Sequence, residues 1–277
     1  MRPTICGVLT DYKGRILLRR ADPRTLLPIY RPFEVGKLPA ETLARAFRED
    51  TGLFVMPVRL TSLDYSAAQD ELTATFRCTM RGGDLAPQEE PTVGFFDPPP
   101  PAALSKEFRS RVELALRHAG GPPQLQVDGK GVFSRIFGGR KDAERDGNWE
   151  VGIRLVVRSA NGGILWARSE QGDKRRLPAG SPARGEAPWQ VAERLLQAHL
   201  PGGSATAIRL VAGVSSAGRP ALDLIFAADV TREALPSLEK ASFALPELGP
   251  DFATADVTLL RSIDWTTDAC QWLIDGE

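Results

Sequence analysis

Hydrophobic and polar positions follow the same course twice along this chain. Thr4-Ile5-Cys6-Gly7-Val8-Leu9-Thr10, then Asp11-Tyr12-Lys13-Gly14, then Arg15-Ile16-Leu17-Leu18-Arg19-Arg20 reads as strand, turn, strand. Glu150 to Val157, Asn161-Gly162-Gly163, and Ile164 to Arg168 repeat it. Leu38-Pro39-Ala40 and Leu177-Pro178-Ala179 each precede a segment read as helix. Leu72 to Cys78 is matched by Ala221 to Ala227, and each half closes on a helical pattern, Ser105 to His118 and Thr266 to Ile274. The order hairpin, helix, strands, helix predicts two α/β domains, 1–118 and 148–277, joined by a linker, 119–147.

Gly120-Gly121-Pro122-Pro123 opens that linker, and Asp142 to Gly147 is mostly charged. Between them Phe133, Ile136 and Phe137 have helical spacing. They read as a turn of helix packed across the domains, or as a short anchor for a membrane surface or partner. Pro98 to Pro101 is a stiff extended lead into the helix that begins near Ser105.

Composition narrows the function classes. The chain has 277 residues and is 42% hydrophobic, enough for one large or two modest cores. Lysine plus arginine and aspartate plus glutamate both number 35, so the net charge is zero and a strong nucleic-acid footprint is not expected. The N-terminus enters a strand pattern without a signal-peptide pattern, and no apolar run reaches membrane-spanning length. Cys6, Cys78 and Cys270 are scattered and lack metal spacing. They read as buried thiols in a reducing cytoplasm.

The chemistry-bearing motif runs from Arg176 to His199. Gly180, Glu186 and Arg194 keep the spacing of glycine, glutamate and arginine in the Nudix box, and the segment resembles that box. Leu195 stands where the family's first catalytic glutamate belongs. Ala198 and His199 stand where its Glu-Glu pair belongs, and Pro201 where its closing glycine belongs. A weaker copy lies at Gly36 to Leu53, where Arg48-Glu49-Asp50-Thr51-Gly52-Leu53 resembles the family's Glu-Glu-Thr-Gly-Leu ending. Counting back from Gly52 puts Arg45 at the arginine, Ala46 at the first catalytic glutamate, and Glu49 and Asp50 at the paired acids. Between Glu41 and Gly52 this copy is about four residues short, roughly one helical turn. The resemblance covers about Arg2 to His118 and Asn148 to Ile274. It implies two tandem α/β/α sandwiches with mixed sheets.

The resemblance also implies a reaction. Nudix enzymes cleave a diphosphate linkage with Mg²⁺ or Mn²⁺, cations that take carboxylates and substrate phosphates as ligands. Carboxylates at i, i+3 and i+4 share one helix face and converge on one metal cluster. On the first copy that face is Ala46, Glu49, Asp50; on the second it is Leu195, Ala198, His199. A neutral histidine does not replace three carboxylates for Mg²⁺.

Each candidate has two readings. Glu49 and Asp50 are weak metal ligands of the N-terminal domain, or solvated acids on an amphipathic helix. Glu41 and Glu89 are the acids that would complete an active N-terminal site; Glu89 or the adjacent Glu90 would act as general base, or either is a loop acid. Glu186 sits near a helix start, where the dipole favours negative charge. Arg45 and Arg194 orient a glutamate, as the family's box arginine does. Lys174, Arg175, Arg176 and Arg184 hold phosphates without metal, with Glu186 and Arg194 beside them, or are solvated. His199 ends a helix.

Three function classes follow. The first is a catalytically impaired Nudix-like protein that binds a nucleotide, a diphosphate-linked metabolite or a protein partner and needs no cofactor. The second is a divergent hydrolase working from the N-terminal domain with Mg²⁺ or Mn²⁺. The third is metal-free biosynthetic chemistry on the same fold. The expected assembly is a monomer whose domains form an internal pseudo-dimer, or a homodimer.

Overall fold

The computed structural model describes residues 1–86, 92–127, 149–159, 162–168, 174–201, 207–230, 242–244 and 251–275. They divide into two units, one of Met1–Trp149 with Ala217–Pro220, the other built from Glu150–Ser216 and Ala221–Asp275.

The first unit begins with β1 (Arg2–Thr10), β2 (Ile16–Asp22), β3 (Thr25–Leu27) and β4 (Ile29–Pro32), and continues with α1 (Pro39–Thr51). Then come β5 (Phe54–Ser66), β6 (Glu71–Gly82), β7 (Val93–Phe96), α2 (Lys106–Arg117) and β8 (Gln124–Val127). Its sheet has the order β3-β2-β1-β6-β5-β8, with β4 paired to β1 and β7 to β2. The sheet is mixed: β1 runs parallel to β6 and β5 to β8, while the remaining pairs are antiparallel.

The second unit contains β9 (Glu150–Ser159), β10 (Ile164–Arg168), β11 (Arg175–Arg176), β12 (Ala179–Gly180) and α3 (Pro188–His199). It ends with β13 (Arg209–Ser216), β14 (Ala221–Val230), β15 (Ser242–Ala244), α4 (Thr254–Ser262) and β16 (Gln271–Asp275). The order is β11-β10-β9-β14-β13-β16, with β12 on β9 and β15 on β10. Strand for strand this repeats the first sheet, with parallel pairs again at β9–β14 and β13–β16.

Helices cover both faces of each sheet, which is why β1 is apolar and buried along nearly its whole length instead of alternating. Around Cys6, Val8, Ile16 and Leu18 one face packs on Phe108, Val112 and Ala115 of α2. The other face meets α1 at Gly7, where a methyl group would lie 2.5 Å from the Phe47 ring. Only glycine permits that approach. In the second unit Leu259 and Leu260 of α4 pack with Val156, Trp166 and Ile225, while Val191 of α3 rests on Gly180 across the sheet.

Several sequence expectations need correction. Thr266 to Ile274 is not a closing helix. The helix lies earlier, at α4, and the segment ends in strand β16. Asp264 stops the helix: its carboxylate accepts from the Thr266 amide and hydroxyl, and the Gln271 side chain bridges the Asp264 amide and carbonyl. Such local bonds compete with helical ones. The stretch read as linker contains β8, paired in parallel with β5. Its apolar segment from Phe133 to Phe137 lies outside the described residues. Cys6 and Cys78 are buried, but Cys270 is only half-buried.

Candidate functional site

The strand registers fix which residues of the two box segments correspond. Thr10 pairs with Ile16 in the first hairpin and Arg158 with Ile164 in the second, so Ile5 and Ile153 are equivalent. Arg31 lies opposite Ile5, and Gly180 opposite Ile153. Arg31 therefore takes the place of Gly180. The helices then begin at Pro39 and Pro188 at the same distance from those two residues. Lys37 thus stands for Glu186, Arg45 for Arg194, Ala46 for Leu195, and Glu49-Asp50 for Ala198-His199. The shortening of about one helical turn expected for the first copy is absent. The match of Leu38-Pro39-Ala40 to Leu177-Pro178-Ala179 is a sequence coincidence: Leu38 precedes α1 directly, whereas Ala179 lies in β12.

Both helices start alike. Proline occupies a first-turn position, where its missing amide hydrogen costs nothing. The Glu41 carboxylate accepts from the Leu38 amide at 3.3 Å, and the Gln190 side chain accepts from the Ala187 amide at 2.8 Å. This is half of a capping box. Glu41 therefore serves the helix end on the exposed surface. Helix α1 closes on Gly52, whose φ of 79° is the left-handed cap conformation and whose amide donates to Arg48.

The box arginines are held by carboxylates. Arg194 grips Glu186 with two bonds, Nε to Oε1 at 3.0 Å and Nη2 to Oε2 at 3.2 Å. Glu186 also accepts from the Ala183 amide at 2.8 Å, so it closes the turn before α3 and does not sit in the helix's first turn. The Arg194 bonds, with the Ala183 amide, hold its carboxyl below the usual range. Arg45 pairs with Glu34 and lies 3.9 Å from Glu49.

The positions where a metal cluster would form carry other contacts. Ala46 is 2% exposed and Leu195 7%, so both are core residues facing the sheet. Asp50 is bound through Oδ1 by the Arg31 guanidinium, and its Oδ2 is buried without a hydrogen-bond partner. Glu49 is exposed on α1. Ala198 has no ligand atom. His199 ends α3, and burial lowers its pKa below the usual 6.5. Among the described residues no three His, Cys, Asp or Glu side chains converge as a metal site. The described residues at these positions therefore do not by themselves fit a Mg²⁺ or Mn²⁺ cluster. In the first unit a guanidinium occupies the cationic role at Asp50.

The second basic set is spread over several elements. Arg175 lies over the Phe252 ring, 5.6 Å from its centre. Neighbouring side chains on a strand point to opposite faces, which separates Arg176 from Arg175. Lys174, Arg176 and Arg184 are exposed. Glu89 and Glu90 lie outside the described residues.

A cleft of about 1000 Å³ opens elsewhere in the first unit, between β2, β3, the β5–β6 turn and the start of α2. Tyr30 and Phe108 meet edge to face in its wall, ring centres 5.4 Å apart. Tyr30 donates to Glu71 Oε1 at 2.8 Å. Burial and the Glu71 charge raise the phenol's pKa, so it stays a donor. Sequence reading missed Arg31, Glu34, Tyr30 and Glu71, because each acts through a partner distant in sequence.

Fold and site together define a two-unit α/β protein with mixed sheets. No family model matches the chain, and no curated protein matches it. Among solved structures it is similar to an ADP-ribose pyrophosphatase from Streptococcus suis 89-1591, at 18% identity over 46% of this chain and 98% of that chain, with a TM-score of 0.38. It is similar to a NUDIX hydrolase from Nitrosomonas europaea at 16% identity over 46% of this chain and 77% of that one, TM-score 0.39. A MutT protein from Bacillus halodurans gives 17% identity over 42% and 83%, TM-score 0.36. Likeness of this extent fixes neither the family nor the activity of the chain.

Proposed function

We propose that this chain is a binding protein built on two Nudix-like units, one that captures a nucleotide or a diphosphate-linked metabolite without metal-dependent hydrolysis. The observation that carries the proposal is the Arg31–Asp50 ion pair on α1. It ties up one of the two acids, Glu49 and Asp50, at the expected metal-ligand positions of α1, and the matching positions of α3, Leu195, Ala198 and His199, have none. Each lost charge contact in a transition state costs about 3 kcal/mol or more, so a site lacking most of its carboxylates is not expected to turn over. The cleft of the first unit supplies concave volume for a small molecule. A protein partner is the second possible ligand of such a module.

The alternative is divergent hydrolysis from the N-terminal unit, and exposed Glu49 is what favours it. One experiment separates the two. Nucleoside diphosphate derivatives are incubated with wild type and Glu49→Gln, with Mg²⁺ or Mn²⁺, and phosphate and nucleotide release are measured. The same compounds are then screened by thermal shift. The expected result is no metal-dependent release, with at least one compound raising the melting temperature. Turnover that needs metal and is lost in Glu49→Gln would establish the hydrolase instead.

A further inference from the structure

The face of the first sheet that α2 covers changes character where the helix ends. Val8 packs on α2 and pairs with Arg77, and Thr10 pairs with Thr79. Side chains two apart on a strand share a face, so Thr73, Thr75, Arg77 and Thr79 all point to the α2 side. Thr73 and Thr75 lie under the helix and are 0% exposed, whereas Arg77 and Thr79 are exposed. Strand β5 supplies their neighbours: Met56 pairs with Thr79, and Arg59 with Arg77. Arg59 marks the helix end, since a methyl group on Gly120, just past α2, would lie 2.8 Å from its Nη1. Exposed Arg81 reaches the same patch, donating to Met56 Sδ at 3.5 Å.

This patch is basic and apolar at once. Among the described residues none of Arg59, Arg77 and Arg81 forms an ion pair. Met56 is 39% exposed, and its β5 neighbours Phe54 and Val58 are 50% and 49% exposed. Arginine, methionine and aromatic side chains are the types that protein interfaces concentrate.

The second unit shows what meets this face when the chain supplies the cover itself. With Ile5 equivalent to Ile153, the registers make Thr10 equivalent to Arg158, Arg59 to Arg209, Arg77 to Ala227 and Thr79 to Asp229. Arg209 Nη1 lies 3.9 Å from Asp268, and Arg158 binds Asp229 at 2.7 Å. The Arg158 guanidinium also lies over the Trp265 ring, 5.2 Å from its centre. Trp265 and Asp268 come from the segment between α4 and β16. The equivalent segment of the first unit, His118 to Pro123 between α2 and β8, has no acid and no tryptophan.

We propose that this face of the first unit is a docking surface for a protein partner whose bound segment carries carboxylates and apolar side chains. That is the chemistry Asp268 and Trp265 supply in the second unit. Carboxylates of the partner meet Arg59, Arg77 and Arg81, and its apolar groups cover Met56 and Phe54. A nucleic acid strand offers the anions without the aliphatic groups that Met56 and Val58 call for. The surface lies at the opposite end of α2 from the cleft, so the proposal goes beyond the small-molecule reading and stands or falls separately from it.

The chain has three methionines, Met1, Met56 and Met80, so ¹³C-methyl-methionine spectra of the full chain read this surface directly. Met80 follows Thr79 on β6 and pairs with Val55, on the opposite face. Met56→Leu identifies the Met56 signal by its loss. The probe is a short peptide alternating aspartate and leucine, with its lysine–leucine counterpart and oligouridylate titrated separately. The expected result is a saturable shift of Met56, larger than those of Met80 and Met1, with the aspartate peptide alone. Arg77→Gln with Arg81→Gln should weaken binding roughly tenfold, as loss of two exposed charge pairs predicts. Arg77→Glu with Arg81→Glu should abolish it, because like charges then face each other. An unmoved Met56 signal, an equal shift with the lysine peptide, or unchanged affinity in the glutamine variant would overturn the proposal. So would a saturable shift with oligouridylate, which makes the partner a nucleic acid. A Met56 signal that moves on dilution of the chain alone would also overturn it, in favour of a second copy.

Discussion

Arg111→Ala should destabilise the N-terminal unit by about 3–5 kcal/mol, the cost of breaking a buried ion pair by removing one partner. Arg111 is 1% exposed and Asp64 3%, in the layer between α2 and the sheet. Arg111 Nε lies 3.6 Å from Asp64 Oδ2, which also accepts from the Ser62 hydroxyl at 2.7 Å. The guanidinium also covers the Phe108 ring at 5.3 Å. Alanine removes the cation and leaves the Asp64 charge in a site that water does not reach. It also opens a cavity beside Phe108. Calorimetry should show the melting temperature falling by roughly 10 °C or more for a unit of this size. Hydrogen exchange should rise in peptides from β5, β6 and α2. The pair Arg111→Met with Asp64→Leu should recover much of the loss, because apolar replacements of similar volume remove both desolvation costs. If the single variant cost less than about 1 kcal/mol, within the range of an exposed pair, the buried-pair assignment would be wrong.

Asp256→Ala should cost the second unit about 2–4 kcal/mol, from a lost ion pair plus an unmet buried amide. Asp256 Oδ1 binds Arg154, and its Oδ2 accepts from the Leu177 amide at 3.0 Å. One side chain thus ties α4 to the central strand β9 and to the chain just before β12. Arg154 keeps a second partner in Asp223, at 2.8 Å, which is why the expected loss stays below that of an orphaned charge. Asp256→Asn retains an oxygen for Leu177 and should cost about half as much. The measurement is urea unfolding followed by tryptophan fluorescence. Trp166, Trp189, Trp265 and Trp272 all belong to the second unit. Equal losses for alanine and asparagine would mean that the amide contact contributes little.

How much of this was legible in the sequence depended on whether the signal was local. The opening hairpins were readable, because the apolar runs at Thr4–Thr10 and Glu150–Val157 are followed by short turns. The box helices were readable from their flanking residues. Strands β8 and β16 were both missed, and for one reason. Each follows the second helix of its unit and pairs with a strand far back in the chain. Gln124–Val127 follows a Gly-Pro cluster, and Trp272 and Ile274 also fit a helical spacing. Only the parallel neighbours, β5 and β13, decide the matter.

The candidate site shows the same limit. Reading Glu41 as the box glutamate followed from its type and proximity. The strand register assigns that place to Lys37. That Arg31 neutralises Asp50 depends on β4 crossing beside α1, and nothing in the sequence spacing carries it. The cleft at Arg20, Tyr30 and Glu71 is assembled from four separate segments.

The measurement that bears most directly on the proposed loss of metal-dependent hydrolysis is Mn²⁺ binding, by electron paramagnetic resonance of free Mn²⁺, to wild type, Asp50→Asn and Glu49→Gln. With Asp50 paired to Arg31 and no metal-binding cluster of acids among the described residues, the expected result is binding no tighter than about millimolar, as for weak oxygen-ligand sites. It should be equal in all three proteins. A site in the micromolar range that disappears in Asp50→Asn or Glu49→Gln would show that α1 still assembles a metal centre, and would contradict the proposed loss of hydrolytic function.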